Sequence, residues 1–328
     1  MRLATFLLAA LLASASTARA GAATRSTPGA RDLQGVWTNA SITKLTRAPG
    51  TPLEVGARTA AAMAAADPLL RATAESGKPV DPAGGAPPVG GGGVGAAYLD
   101  SGDTLARVGG RHRTSWIVNP ADGQLPLSEE GRARVAQARV FAAAADRPSD
   151  PEALQPWDRC LISSRGSGGP GMLNNVYNSN LQIVQTPGAV AILVEMVHDA
   201  RRIPLFASRA AAQAAHGTVD LWLGDSVGWW EGDVLVIETV HVRAEQGRAG
   251  PIFLTPRGRV TERLTRASST EIAYGFEVED AAYYSRPWRA EMVLTTSAKP
   301  VYEYACHEGN YALPGILAGV RRAERAAR

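Results

Sequence analysis

The stretch WWEGDVLVIETVHV, residues 229–242, decides the fold of this chain. Trp230 leads into a tight turn at residues 231–233, and a strand-length run of branched apolar residues follows from 233 to 242. Two such runs around a short glycine-containing turn are typical of a β-hairpin, whose strands are antiparallel neighbours. The segment therefore predicts a hairpin within an antiparallel sheet.

Similar strand-like segments lie on both sides of this hairpin, between about residues 180 and 305. Segments of strand length with alternating or continuous apolar character are LQIVQ (181–185), AVAILVEMVHD (189–199), TVDLWLGD (218–225), RVTERLTRA (259–267), EIAYGFEVED (271–280), WRAEMVLTT (288–296) and VYEYA (301–305). Turn signals separate them at 186–188 and 267–269, and two further strands are expected at 33–42 and 114–118. Since no βαβ spacing occurs, we predict a mainly β fold: an antiparallel up-and-down meander closing into a calycin-like barrel, with a few peripheral helices.

The N-terminal part predicts export and a looser organisation. Residues 1–20 have a basic start, an apolar run and a small-x-small end, which is typical of a cleaved signal peptide of a periplasmic or secreted protein. We expect residues 21–127 to hold the first strand, an alanine-rich helix at 56–76 and a Gly/Pro loop at 77–95. Residues 128–328 should hold a helix capped by Ser128 and the barrel core, in a single domain with the N-terminal strand.

Composition narrows the classes of partner. Lys and Arg number 34 against 31 Asp and Glu, and no basic stripe with interleaved aromatics occurs, so we expect no nucleic-acid partner. No segment after residue 20 is long and apolar enough to predict a membrane span. The two cysteines, Cys160 and Cys306, predict one disulfide in an oxidising compartment, with two buried, unpaired thiols as the alternative.

A longer set of motifs carries a family resemblance: RCLISSRG, YNSNLQIVQTPG, EMVHDARRIPL, WLGDSVGWWEGDVLVIET, TERLTR, SRPWRAEM and YEYACHEGNY. Together they resemble a family of exported proteins from acidobacteria and sphingomonads, over residues 33–40 and from 116 to the end. The resemblance implies export and a β-rich fold, and it implies no chemistry. The stretch ASRAAAQAAHG (207–217) departs from the polar turn usual in that family. Gly35-Val36-Trp37 also resembles the Gly-x-Trp opening strand of calycin barrels.

Ionisable groups gather near the expected strand ends. In an unbroken strand at 189–199, Glu195 and Asp199 face one side and His198 the other, with Glu195 pointing into an apolar interior. We predict Glu195, His198, Asp199 and His307 as catalytic candidates. The alternative is that residues 198–202 form a solvated turn.

A second set of side chains is predicted to bind the substrate. It comprises Tyr177, Asn178, Asn180, Gln182, Arg201, Glu303, Tyr304 and Glu308. Asn178, Asn180 and Gln182 would project from one strand face as a row of amides, which suits a polar ligand. A solvated sheet face, and a strand end capped by residues 307 and 308, are the structural alternatives.

These expectations favour an exported acid/base enzyme, a lyase, isomerase or hydrolase, acting on a small polar or aromatic compound of plant or carbohydrate origin. No metal or cofactor is expected, because the sequence has no zinc, phosphate-loop or dinucleotide signature. The alternative is a non-catalytic, lipocalin-like ligand-binding protein of the periplasm. A structural or interaction protein of the cell envelope is the third possibility.

Overall fold

Alternating apolar residues form the strands of this protein, and a computed structural model describes residues 29–76, 101–144, 148, 150–163 and 166–327. The expected signal peptide and the Gly/Pro loop at 77–95 lie outside these ranges. The strands are β1 Gly35–Thr38, β2 Glu54–Val55, β3 Arg107–Val108, β4 Arg111–Arg113, β5 Ile117–Asn119, β6 Asn180–Thr186, β7 Ala189–Val194, β8 Ala200–Phe206, β9 Asp225–Glu231, β10 Val234–Val240, β11 Arg259–Arg266, β12 Glu271–Glu279 and β13 Trp288–Thr296. The helices are α1 Ala57–Ala66, α2 Pro68–Ser76, α3 Glu129–Ala144, α4 Arg209–Gln213, α5 Ala244–Ala249, α6 Cys306–Gly309 and α7 Ala312–Ala326.

Nine of these strands, β1 and β6 to β13, close into a barrel. The first strand pairs with β6 on one side and with β13 on the other, which joins the two edges of the sheet. Strand β5 pairs with β13 beside β1, and β2, β4 and β3 form a small separate sheet. The prediction of a mainly β barrel with peripheral helices is confirmed.

The barrel interior is filled by side chains. Inward residues alternate with outward ones along each strand, and the inward set forms one buried core. Its largest members include Trp37, Trp288 and Tyr274, each at most 1% exposed. Close packing of this kind makes the interior a stabilising core.

One strand pairing departs from the predicted meander. Strands β8 and β9 are parallel, whereas every other pair in the barrel is antiparallel. After β8 the chain forms α4 and returns along the barrel before β9 begins, and a parallel pair requires a crossover of about this length. The predicted strand at 218–225 is wrong in consequence: only Leu221 forms an isolated bridge there, and β9 runs from 225 to 231.

Three turns and a helix appear where the sequence predicts them. The tight turn after Trp230 joins β9 to β10, with Glu231 opposite Val234 and Gly232 at φ 59°. The turn signals at 186–188 and 267–269 likewise join β6 to β7 and β11 to β12. Helix α3 begins after Ser128, whose Oγ accepts a hydrogen bond from the Gly131 N–H at 2.9 Å, as an N-cap should.

Several element bounds differ from the predictions. The alanine-rich helix at 56–76 is two helices, because Asp67 ends α1 in an extended conformation before Pro68. The segment 301–305 is not a strand, since β13 ends at residue 296 and the chain continues without ladder pairing into α6. Glu303 and Tyr304 therefore lie on no strand, and the alternative of a strand end capped by His307 and Glu308 is also wrong. Sequence patterns also missed α4, α5 and α7.

Gly35 explains the Gly-x-Trp pattern physically. Its φ of +141° is a conformation that residues with a side chain rarely adopt. Two residues later Trp37 turns inward, and its indole Nε1 donates to the Leu33 carbonyl at 3.0 Å. The Arg266 guanidinium lies 4.8 Å from the centre of the indole ring and covers this end of the core.

Candidate functional site

The connection between β7 and β8 carries three of the predicted catalytic residues. Strand β7 ends at Val194, and one turn of 3-10 helix at Met196–His198 follows. Val197 and His198 have φ angles of 59° and 55°, which are strained for residues other than glycine and most of all for a β-branched one. The expectation that Glu195 and His198 lie on an unbroken strand is wrong, because the chain turns at this point.

Glu195 anchors the chain that follows the last strand. Its side chain is buried, and its Oε2 accepts from Asn180 Nδ2 at 2.8 Å while its Oε1 accepts from the Tyr302 N–H at 3.1 Å. The other end of the Asn180 amide accepts from Ser297 Oγ at 3.0 Å. Both carboxylate oxygens are thus engaged in holding residues 297–302 against the barrel.

His198 is exposed at the surface, one turn from Glu195. Its Nε2 lies 2.8 Å from the Tyr304 N–H, and a ring nitrogen that accepts this bond carries no proton. Tyr304 is half-buried beside Tyr177, and burial first, then the neighbouring Tyr177 hydroxyl, raise the pKa of Tyr304. In this arrangement His198 positions the C-terminal segment, and it would have to release Tyr304 before Nε2 could accept a proton from a substrate.

Asp199 faces a different partner. Its Oδ2 accepts from the Ser163 N–H at 2.7 Å, and the side chain is buried. Burial raises the pKa of Asp199, and the hydrogen bonds from Ser163 oppose that rise. A Cβ at Gly168 would lie 2.3 Å from Asp199 Oδ2, so the loop can approach the carboxyl only because that residue is a glycine.

Arg201 points into the barrel, whereas a solvated turn was one alternative that the sequence left open at this position. It lies on β8, and its guanidinium makes a bidentate ion pair with Glu262 of β11, at 3.0 Å for Nη1 to Oε1 and closer for Nη2 to Oε2. The Tyr274 hydroxyl donates to Glu262 Oε1 at 2.6 Å. Burial alone would raise the pKa of Glu262, but the Arg201 charge and the hydrogen bonds outweigh burial, so the pKa of Glu262 is lowered. The pKa of Tyr274 is raised well above its ordinary value, first by burial and then by the Glu262 charge.

Sequence reasoning missed this buried ion pair, although a signal was present. Glu262 alternates with Val260 and Leu264 on β11, so it lies on the apolar, inward face. A carboxylate in phase with core residues predicts a buried partner, because an isolated buried charge is costly. Arg201, which was predicted to bind the substrate, is committed to the pair with Glu262.

The remaining predicted residues divide between the disulfide and the surface. Cys160 and Cys306 form the predicted disulfide, with Cα atoms 5.8 Å apart and a sequence separation of 146. Glu303, His307 and Glu308 are exposed beside it. Asn178 has a φ of 52° and precedes β6, so only Asn180 and Gln182 share the strand face expected for the row of amides.

A cleft outside the barrel offers a different site. Its volume is about 910 Å³, and it lies between the loop after β1, helices α2 and α3, and the chain after α5. Side chains of the wall include Leu45, Trp116, Val135, Phe141, Trp157 and Phe253. None of the predicted site residues lines it. Sequence patterns could not find it, because its wall combines eight separate stretches of chain.

One buried amide in this cleft lacks a partner. Gln155 lines the cleft and is 8% exposed, and its Nε2 forms no hydrogen bond within the described part of the chain. The neighbouring Asn174 differs, because its Oδ1 accepts from Trp116 Nε1 at 2.8 Å and its Nδ2 donates to the Thr43 carbonyl at 3.2 Å. A buried N–H without an acceptor costs about 1–3 kcal/mol.

A second cluster lies on the outer face of β9 and β10, in the stretch that departs from the family pattern. His216 stands between two carboxylates, with Nδ1 2.9 Å from Asp225 Oδ2 and Nε2 3.3 Å from Glu238 Oε1. Glu238 also accepts from Gln213 Nε2 at 2.9 Å. These contacts attach the chain around α4 to the barrel, and the isolated His gave no signal in the sequence.

Comparison of the chain with models of protein families, with curated proteins and with solved structures finds no match. Among the described residues, no group of three or more His, Cys, Asp and Glu side chains is placed to hold a metal ion. No helix in the same ranges combines the length and the apolar character that crossing a membrane requires. The geometry of the chain itself therefore carries the functional argument.

Proposed function

We propose that this is an exported binding protein that holds a small, mainly apolar molecule with an oxygen acceptor in the cleft between the barrel and helices α2 and α3. The single observation that carries the proposal is the apolar cleft of about 910 Å³ containing the unpaired Gln155 amide. Small-molecule sites are typically apolar concavities of about 300–1,000 Å³ with a few polar groups that fix the orientation of the ligand.

Two further observations support it. The barrel interior is already filled by the core, so a ligand has room outside it, unlike the ligand of a lipocalin. The Cys160–Cys306 disulfide suits an oxidising compartment, which agrees with the signal peptide expected at 1–20 and with the resemblance to an exported family.

The test is a cleft-filling substitution on α3. Ala138 lines the cleft, whereas Ala136 is exposed on the same helix outside it. Binding of 2-acetonaphthone, a flat apolar ketone, would be measured by titration calorimetry. We expect Ala138→Trp to abolish binding and Ala136→Trp to leave it unchanged.

A Gln155→Met variant isolates the amide, since methionine has a similar length and no N–H. Loss of one hydrogen bond to the ketone oxygen should weaken binding by about 2- to 10-fold. Equal affinity in the wild type and Ala138→Trp would contradict the cleft as the site. Absence of binding in the wild type would contradict the proposal as a whole.

An acid/base enzyme is the second candidate, and the strained backbone at Val197 and His198 favours it. Strain of this kind often marks a functional site. If either histidine acts as a general base, His198→Ala or His307→Ala should slow turnover at least about a hundredfold in a panel of small aromatic and sugar substrates. Unchanged turnover in both variants would remove this mechanism.

A further inference from the structure

We infer that the ligand of the cleft is an aromatic carboxylate whose anionic group is held by Arg139 of α3 and Arg248 of α5. The inference rests on the proposed binding function of the cleft and adds the chemical class of the ligand. It is carried by two arginines that share one wall with aromatic side chains.

Arg139 belongs to the cleft-facing stripe of α3. Val135, Ala138, Arg139 and Ala142 are spaced three and four residues apart, so they share one face of the helix, and all four line the cleft. Within the described residues, Arg139 forms no ion pair with a carboxylate, and it is exposed. Its charge is therefore available at the rim.

Arg248 approaches the same wall from the neighbouring helix. Its guanidinium carbon lies 4.7 Å from the centre of the Phe141 ring, and α5 packs against α3. Stacking on an aromatic ring fixes the plane of a guanidinium and leaves its N–H edges free to donate. Both arginines therefore line the same cleft, from two helices that pack against each other.

Glu245, one turn before Arg248 on α5, interacts with the Arg248 charge, and its Oε1 also accepts from Arg243 Nη2 at 3.2 Å. Little other negative charge opposes the two arginines. Asp67 is the one carboxylate that lines the cleft among the described residues, and Lys44 lies 3.7 Å from it. Asp67 Oδ1 also accepts from the N–H groups of Leu69 and Leu70 at 2.9 and 3.2 Å, which commits it to the start of α2. An anionic ligand would meet a net positive rim.

The shape of the remaining wall favours an aromatic body for that ligand. Rings of Trp116, Phe141, Trp157 and Phe253 line the cleft, and aromatic pairs gain beyond simple burial when they stack or meet edge to face. Arginine binds carboxylate through two parallel N–H···O bonds, which orients a flat acid more strictly than a neutral ligand.

A matched pair of probes tests the inference. We would measure the binding of 2-naphthoate and of its neutral counterpart 2-naphthamide by calorimetry at low salt. The wild type should bind the acid at least about tenfold more tightly than the amide, and this preference should fall as salt is added.

The preference should vanish in Arg139→Gln/Arg248→Gln and persist in Arg202→Gln/Arg257→Gln. The second variant removes two exposed charges that lie outside the cleft. Persistence of the preference in the first variant, or its loss in the second, would overturn the assignment to these arginines. Equal binding of acid and amide by the wild type would overturn the ligand class while leaving the proposed function intact. Binding of neither probe would contradict both.

Discussion

Removing Arg201 should destabilise this protein more than removing one partner of a surface ion pair. The side chains of Arg201 and Glu262 are 1% and 0% exposed, and their guanidinium and carboxylate are joined by two hydrogen bonds inside the barrel. Arg201→Met keeps much of the aliphatic volume but leaves the Glu262 charge buried with only neutral donors. Breaking a buried pair in this way costs about 3–5 kcal/mol of unfolding free energy, whereas an exposed pair contributes about 0–1 kcal/mol.

The pH dependence follows from the lowered pKa of Glu262. The Glu262 carboxyl binds its proton less tightly in the folded protein than in the unfolded chain, where glutamates titrate at about pH 4.3. The stability that the pair contributes is therefore present in full above that value and is lost as the pH falls through the folded-state pKa. In Arg201→Met the carboxyl can be buried uncharged at low pH, so the deficit relative to the wild type should shrink as the solution becomes acidic.

Urea denaturation at several pH values, followed by tryptophan fluorescence, measures both effects. The double variant Arg201→Met/Glu262→Leu supplies the control, because a pair replaced by apolar residues is often neutral or stabilising. We expect it to be more stable than Arg201→Met. The reasoning would be refuted if the unfolding free energy of Arg201→Met lay within about 1 kcal/mol of the wild-type value. It would also be refuted if the double variant lost as much stability as Arg201→Met and Glu262→Leu together.

Three more outcomes are expected. Replacing Cys160 and Cys306 by serine should lower the unfolding free energy by about 5 kcal/mol, since the disulfide closes a loop of 146 residues, and reducing the wild type should reproduce the loss in urea denaturation. Burial raises the pKa of Asp199, so the wild type loses stability as the pH rises from about 3.9 through the folded-state pKa; Asp199→Asn should lack this loss in denaturation between about pH 4 and 8. Gly131→Ala should lower the melting temperature, because its Cβ would lie 1.9 Å from a backbone oxygen, whereas Gly315→Ala, with open space around it, should leave it equal or raise it.

Local patterns were sufficient for the hairpin, the barrel class and the disulfide. Alternation with a period of two is a property of neighbouring residues, so residues 229–242 indicate two strands and their turn without knowledge of the rest. Two cysteines allow one intramolecular pairing, and Ser128 with the run after it indicates the start of α3. These features depend on few residues that are close in sequence or have no competing partner.

The sequence predicted none of the residues that line the cleft, but some of the predicted catalytic and binding residues do come together. The sequence indicated that Asn180, Glu195, His198 and Tyr304 belong near one another, and hydrogen bonds do connect Asn180 to Glu195 and His198 to Tyr304. The strand faces expected for Glu195, His198 and Asp199 were wrong, because the expected strand breaks after Val194. A period-two pattern cannot show where a strand turns when apolar residues continue through the turn.

The sequence by itself determined the β-barrel class and the single disulfide. Alternation is a property of neighbouring residues, and two cysteines have no competing partner. Only the tertiary structure decided that β8 and β9 run parallel, that Arg201 pairs with Glu262, and that Gln155 faces a cleft with Arg139. Each of these depends on which distant segments become neighbours. That choice is set by the burial of apolar surface over the whole chain, and a buried charge or amide then takes whichever partner the packing brings within reach.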